Sequence, residues 1–175
     1  TVLNTFSYTG AFSVFAALGG ATRTTSVDLA KRSRSKTEEQ FKINGIDPET
    51  QDIIVEDVFH YFKYAVKKEI LFDVVVLDPP SFARSKKHTF SVAKDYVKLL
   101  KEAIQITHKG GVIVASTNYA NFNMDKFKGF IDKAFKELGG KYKIEHTFSL
   151  PKDFRVRDKF KEGDYLKVVF IRKVS

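Results

Sequence analysis

Strand-like and helix-like segments alternate along most of this chain, and few folds accept that pattern. Short apolar or β-branched runs at about 2–6, 24–28, 52–56, 72–78, 112–117, 142–149 and 165–172 read as strands. Helical stretches at about 10–18, 30–43, 58–68, 92–107 and 124–138 separate the first six of them. Strand, helix and strand in succession make a parallel crossover. The expected architecture is therefore α/β: a mostly parallel, seven-stranded Rossmann-like sheet with helices on both faces. No helix separates the last two strands, so the seventh is expected to enter antiparallel as a long hairpin. With 175 residues, no internal repeat and no low-complexity linker, the chain reads as one domain over 1–175.

Open α/β sheets bind ligands in the crevice beyond the carboxyl ends of their strands, so the residues that end each strand matter most. The run Phe72-Asp73-Val74-Val75-Val76-Leu77 closes on Asp78-Pro79-Pro80-Ser81-Phe82. Proline sets its own φ near −65° and pushes the preceding residue into extended backbone, which leaves the Asp78 carboxylate and the Pro79 carbonyl presented at a strand end. That arrangement suits a planar ring with an amine on its edge; a plain strand-ending turn is the alternative. Upstream, a strand ends at Phe6, Ser7-Tyr8-Thr9-Gly10 turns, and a helix runs to Gly19-Gly20. A second strand then ends on Asp28, 18 residues beyond Gly10. Nucleotide-binding sheets use this order: the glycine lets backbone approach the ligand, and the acid accepts ribose hydroxyls. Tyr8 and Ser13 occupy the outer glycine positions of the dinucleotide fingerprint. Without a cradle for pyrophosphate, a phosphate-free nucleoside such as S-adenosylmethionine fits better than a dinucleotide.

Asn4-Thr5-Phe6-Ser7-Tyr8-Thr9-Gly10, Ser26-Val27-Asp28, Asn44-Gly45, Glu56-Asp57-Val58-Phe59, Asp78-Pro79-Pro80-Ser81-Phe82 and the closing Glu162-Gly163-Asp164-Tyr165-Leu166-Lys167 together resemble class I S-adenosylmethionine-dependent methyltransferases. The nearest likeness is to the large-subunit (23S) ribosomal RNA methyltransferase group, from Val2 to about Arg172. The resemblance implies that Ser7, Tyr8, Thr9 and Gly10 line the methionine end of the cofactor, that Asp28 with Leu29 holds its ribose, and that Asp57 and Val58 hold its adenine. It implies that Asp78, Pro79, Pro80 and Phe82 face the base to be methylated, with Asp78 also bordering the cofactor at its methyl end and Phe82 as a stacking platform or else a core phenylalanine. Asn118, Tyr119 and Asn121 could read the base edge, or could simply close turns. Members of the group carry an N-terminal RNA-binding part, whereas this sequence opens on its first strand; a fragment of a longer protein is expected.

A net charge of +9 points to a polyanionic partner. Two basic clusters are candidates: Arg84, Lys86, Lys87 and His88 directly after the Asp-Pro-Pro turn, and Lys152, Arg155, Arg157, Lys159 and Lys161, interleaved with Phe154 and Phe160, before the last strand. Basic side chains with aromatics grip single-stranded RNA, although lysine-rich loops can also be merely solvated. Lys31, Arg32, Arg34 and Lys36 are balanced by Glu38 and Glu39 and read as a solvated helix face. The four histidines lack ligand spacing, so no metal is expected, and no apolar stretch approaches the roughly 18 residues that a membrane span needs. No charged-then-apolar leader is present, and a cytoplasmic protein is expected.

The chain has no cysteine. Methylation of cytosine at carbon five needs a thiolate to attack the ring, and Ser116, in Ala115-Ser116-Thr117-Asn118, is no substitute without an activating base. Transfer to a base nitrogen needs chiefly proximity and alignment. The expected activity is methylation of a base nitrogen in RNA, and the resemblance implies large-subunit ribosomal RNA as the substrate, with its guanine foremost. Exocyclic-amine methylation of another RNA or of DNA is the enzymatic alternative, and a non-catalytic RNA-binding module is the alternative of another class. A nicotinamide dehydrogenase fits less well, for want of the outer glycines.

Overall fold

The computed structural model describes residues 1–84, 89–157 and 159–175. In chain order its first elements are β1 (Val2–Thr5), α1 (Ala11–Leu18), β2 (Thr24–Asp28), α2 (Lys31–Ile43), β3 (Asp52–Val55), α3 (Val58–Lys67) and β4 (Phe72–Leu77). There follow β5 (Phe82–Arg84), β6 (Thr89–Ser91), α4 (Val92–Gln105), β7 (Thr107–Thr117), α5 (Met124–Leu138), β8 (Tyr142–Phe148) and β9 (Lys167–Lys173). Seven of these strands form one sheet in the order β3-β2-β1-β4-β7-β9-β8. All pairs from β3 to β7 are parallel, and β9 runs antiparallel to both its neighbours, so the single reversed strand is the expected one.

Crossover handedness distributes the helices. The chain steps outward from β1 to β2 to β3, then returns and steps the other way through β4, β7 and β8. Right-handed connections therefore put α1 and α2 on one face, and α3, α4 and α5 on the other. On the three-helix face Val75, Leu77, Ile113, Ala115, Val169 and Ile171 are fully buried and in register across β4, β7 and β9. The direction reverses between β1 and β4, and at that switch point the flanking connections part and leave a crevice.

Three features depart from the expected elements. β7 begins at Thr107 rather than near 112, and α4 stops at Gln105. The ladder with β4 skips from Phe72↔Thr107 to Val74↔Val112, and the extra residues include Gly110 at φ 80°. A Cβ on Gly111 would sit 2.8 Å from the Asp73 carbonyl oxygen. This bulge, built from polar residues and glycines, breaks the apolar pattern that marks the rest of the strand. β9 likewise starts at Lys167 instead of 165. The third feature is the hairpin β5–β6, whose three-residue strands fold directly beyond Asp78-Pro79-Pro80. No Asn-Gly or similar turn pair announces it. Among the described residues, no helix is long and apolar enough to cross a membrane.

Candidate functional site

A cavity of about 480 Å³ opens at the switch point, over the carboxyl ends of β1, β2, β3, β4 and β7. Phe6 and Tyr8 wall it after β1, Asp28, Leu29 and Ala30 after β2, and Asp57, Val58 and Phe59 after β3. Asp78, Pro79 and Pro80 follow β4, Phe90 comes from the hairpin, and Asn118 follows β7. Of the residues expected at the site, Tyr8, Asp28, Leu29, Asp57, Val58, Asp78, Pro79 and Pro80 thus converge on one space. Among the described residues, the walls do not include Ser7, Thr9, Gly10 or Phe82. Phe82 lies on β5 with 56% of its surface exposed, and Ser7 is buried beneath the turn, its N–H donating to the Val27 carbonyl at 3.1 Å. Asn118 reaches the cavity, whereas Asn121 lines a second cleft beside Phe122 and Lys167. Tyr119 packs on the Phe122 ring instead.

The turn after β1 holds unusual backbone. Phe6 and Tyr8 have φ of 53° and 50°, a region that L side chains occupy at a cost of about 1–3 kcal/mol each. The Asp28 carboxylate helps to hold this conformation: Oδ2 accepts the Tyr8 N–H at 2.9 Å and Oδ1 the Ala30 N–H at 2.8 Å. Each oxygen keeps a lone pair, so the group is both oriented and able to take two further donors. Gly10, at φ 79°, caps α1; a Cβ there would lie 2.5 Å from Thr37 Cγ2 on α2, so only glycine lets the two helices close up under the turn.

Asp57 caps α3, where Oδ1 accepts the Phe59 and His60 N–H groups at 3.0 and 3.2 Å. Glu56 in turn accepts the Asp57 N–H at 2.8 Å. Asp78 stands at the mouth of β4, and its Oδ1 accepts a hydrogen bond from the Ser116 hydroxyl at the end of β7. The Ser116 carbonyl accepts the Tyr96 phenol at 2.7 Å. Tyr96 is wholly buried, and burial, with the Asp78 charge nearby, pushes its phenol well above the ordinary range. Ser81 Oγ donates to Asn118 Oδ1 at 2.7 Å, which turns the Asn118 amide N–H groups toward other partners.

Phe6, Phe59, Phe90 and Ser116 complete the arrangement without having been expected there as site residues. The Phe90 ring lies 6.0 Å from Phe6 and 5.8 Å from Phe59, so three aromatics back the apolar wall. Phe90 belongs to the unannounced hairpin. Phe6 and Phe59 adjoin Ser7 and Val58, and their signal was adjacency alone.

Among the described residues, three carboxylates and no cation line this cavity, in a chain of net charge +9. Such a site favours a ligand that carries positive charge together with hydroxyl and amine donors, and opposes a pyrophosphate. An α-amino acid sulfonium joined to a nucleoside has that chemistry, and the donor set fits it. Among the described residues no group of three His, Cys, Asp or Glu could hold a metal.

The second basic cluster falls in the connection from β8 to β9. Because Lys167, at the start of β9, pairs with Thr117 at the end of β7, this connection lies along the same sheet edge as the cavity. Lys152, Arg155, Arg157 and Lys159 are exposed there, with Phe154 47% and Phe160 59% exposed. Lys86, Lys87 and His88 of the first cluster lie outside the described residues, and Arg84 closes β5.

Comparison with known proteins gives the same direction. The S-adenosylmethionine-dependent methyltransferase family matches residues 1–153. The Bacillus subtilis (strain 168) protein YwbD, named provisionally as a ribosomal RNA large subunit methyltransferase, is 64% identical over 173 residues, 99% of this chain and 44% of its own length. Ribosomal RNA large subunit methyltransferase K of Neisseria meningitidis serogroup B is 36% identical over 155 residues, 87% of this chain and 42% of its own. The crystal structure of SMU.776, described provisionally as a methyltransferase and complexed with SAH, superposes with a TM-score of 0.91 at 47% identity, covering 98% of this chain and 44% of that one. The chain spans less than half the length of these relatives.

Proposed function

The chain belongs to the S-adenosylmethionine-dependent methyltransferase family, and from that premise we propose that it methylates a guanine nitrogen in large-subunit ribosomal RNA, in the cytoplasm. The observation that carries the reading is the three-carboxylate cavity at the switch point, with Asp78 beside its opening and a basic, aromatic connection along the same edge. When bound, the cofactor supplies a methyl group on a positively charged sulfur, which a nitrogen lone pair can take directly. Asp28 would accept the ribose hydroxyls through its two remaining lone pairs. Asp57 would accept the adenine amine, because Oδ1 is committed to the helix cap and Oδ2 is not in those bonds. Leu29, Val58 and Phe59 would enclose the adenine, and Tyr8, the residue of the turn that walls the cavity, would bound the methionine end.

Asp78 and the Pro79 carbonyl would receive the amine edge of the guanine and hold the ring so that its nitrogen faces the methyl. Such alignment can supply up to about 7–11 kcal/mol of the barrier in favourable cases. No cysteine is present to attack a pyrimidine ring, which favours nitrogen over carbon as the acceptor. Names of the relatives support ribosomal RNA as the substrate. The test is to incubate the protein with unmodified large-subunit ribosomal RNA and cofactor, digest the RNA and weigh the nucleosides. A methylated guanosine is expected; a 5-methylcytidine, or a covalent adduct with RNA containing fluorinated pyrimidine, would overturn the reading.

A further inference from the structure

We propose that Ser116 is a positioning residue for methyl transfer, holding Asp78 by one carboxylate oxygen so that the other is presented to the base. The inference rests on the proposed function above, since it concerns how Asp78 meets the substrate.

Register places the two side chains together. Leu77 pairs with Ala115, so the next residues along the parallel strands, Asp78 and Ser116, stand side by side at the cavity mouth. Asp78 is exposed, and an exposed aspartate turns over a broad, two-fold range about χ2. Ser116 is only 8% exposed, and its hydroxyl has two acceptors in reach, the Leu77 carbonyl at 3.2 Å and Asp78 Oδ1. A hydroxyl carries one proton, and a carboxylate oxygen is a stronger acceptor for it than a backbone carbonyl. The carbonyl contact alone would satisfy a serine whose role was to hold the strands together.

Ser116 is itself held. Its backbone lies in the β7–β9 ladder opposite Val168, and its carbonyl accepts the Tyr96 phenol at 2.7 Å. The Tyr96 ring packs edge-on to Phe127 of α5 at 5.0 Å and is 1% exposed. A buried path therefore runs from α4 through β7 to the exposed carboxylate, and an oxygen located by such a path meets the base without searching. Of the two Asp78 oxygens, Oδ2 and not Oδ1 receives the guanine amine.

Two measurements test this. The 13C carboxyl resonance of Asp78, followed in the protein without RNA, is expected to move in Ser116→Ala and to stay in Ser116→Thr. Single-turnover methyl transfer to unmodified large-subunit ribosomal RNA is expected to slow about tenfold or more in Ser116→Ala, with cofactor affinity unchanged, and to recover to within about threefold in Ser116→Thr. In an Asp78→Ala background, Ser116→Ala should add no further loss, because the residue acts through Asp78. An equal loss in both backgrounds would overturn the inference, as would an unmoved resonance or a normal rate in Ser116→Ala. Failure of the parent protein to methylate the RNA would instead overturn the proposed function, and the resonance would still decide whether the bond holds Asp78.

Discussion

Asp28 shows how a single side chain can serve fold and site together. Its two oxygens hold the N–H groups of Tyr8 and Ala30 and so stabilise the left-handed turn at Tyr8 while facing the cavity. Asp28→Asn keeps one acceptor but sets an amide N–H₂ against one of those donors. Calorimetry should show at least about a tenfold loss of cofactor affinity, since charge-assisted hydrogen bonds contribute about 1.5–3 kcal/mol each. Unchanged affinity would remove Asp28 from the site. Gly10 gives a second prediction: a side chain at φ 79° is strained, and its Cβ would meet Thr37 at 2.5 Å. Gly10→Ala should destabilise the protein by about 1–3 kcal/mol in urea unfolding, and Thr37→Ala should restore part of that loss. That Asp28 and Asp78 would face the cavity was legible because a carboxylate that ends an apolar run has few structural reasons to be there, whereas Asp57 was expected there by family resemblance alone. Ser116 and Phe90 were not legible. Ser116 gains its meaning only from the β4–β7 register, and Phe90 from a hairpin that brings it back over the cavity.

Among the elements, strands and helices were legible where apolar period and length agreed, as in β4 and α5. They were obscured where glycine and charge interrupt a strand, as in the first half of β7. Two further contacts act at this scale. Lys167 is 5% exposed, and its ammonium donates to the Tyr119 carbonyl at 3.0 Å and the Tyr165 carbonyl at 2.9 Å, tying the segment after β7 to the one before β9. Burial lowers its pKa, and the Asp164 charge partly opposes that. Arg23 grips Asp52 through two contacts of 2.7 Å and joins the approach to β2 to the start of β3. The Arg23 hydrogen bond holds the Asp52 carboxyl below its ordinary 3.8. Between the two values the unfolded chain binds more protons than the folded one. The contribution is therefore complete above the unfolded value and lost as pH falls through the folded one. Urea midpoints should drop as pH falls below about 4, and Asp52→Asn should make that drop shallower. A midpoint with the same acid dependence in the variant would show that the pair carries none of it.

For the whole molecule, two charge patterns lie on one sheet edge among the described residues: a cavity lined by three carboxylates and a basic, aromatic margin of the kind that would suit a polyanion. If the margin makes about five phosphate contacts, log affinity for single-stranded RNA should fall with log salt at a slope near −3.5, and replacing Arg155, Arg157 and Lys159 by alanine should flatten it. A slope near zero would indicate a small-molecule substrate. The reversal of strand order between β1 and β4 sets where both charges meet, and the sequence did not announce it. Alternation alone allows several strand orders. The central claim is that Asp78 serves the base more than the cofactor. It is tested most directly by comparing Asp78→Ala with the parent in single-turnover methyl transfer to large-subunit ribosomal RNA, alongside cofactor titration of both. The predicted result is a rate lower by about two orders of magnitude or more, with cofactor affinity little changed. Near-normal turnover in the variant, or a rate loss matched by an equal loss of cofactor binding, would contradict it.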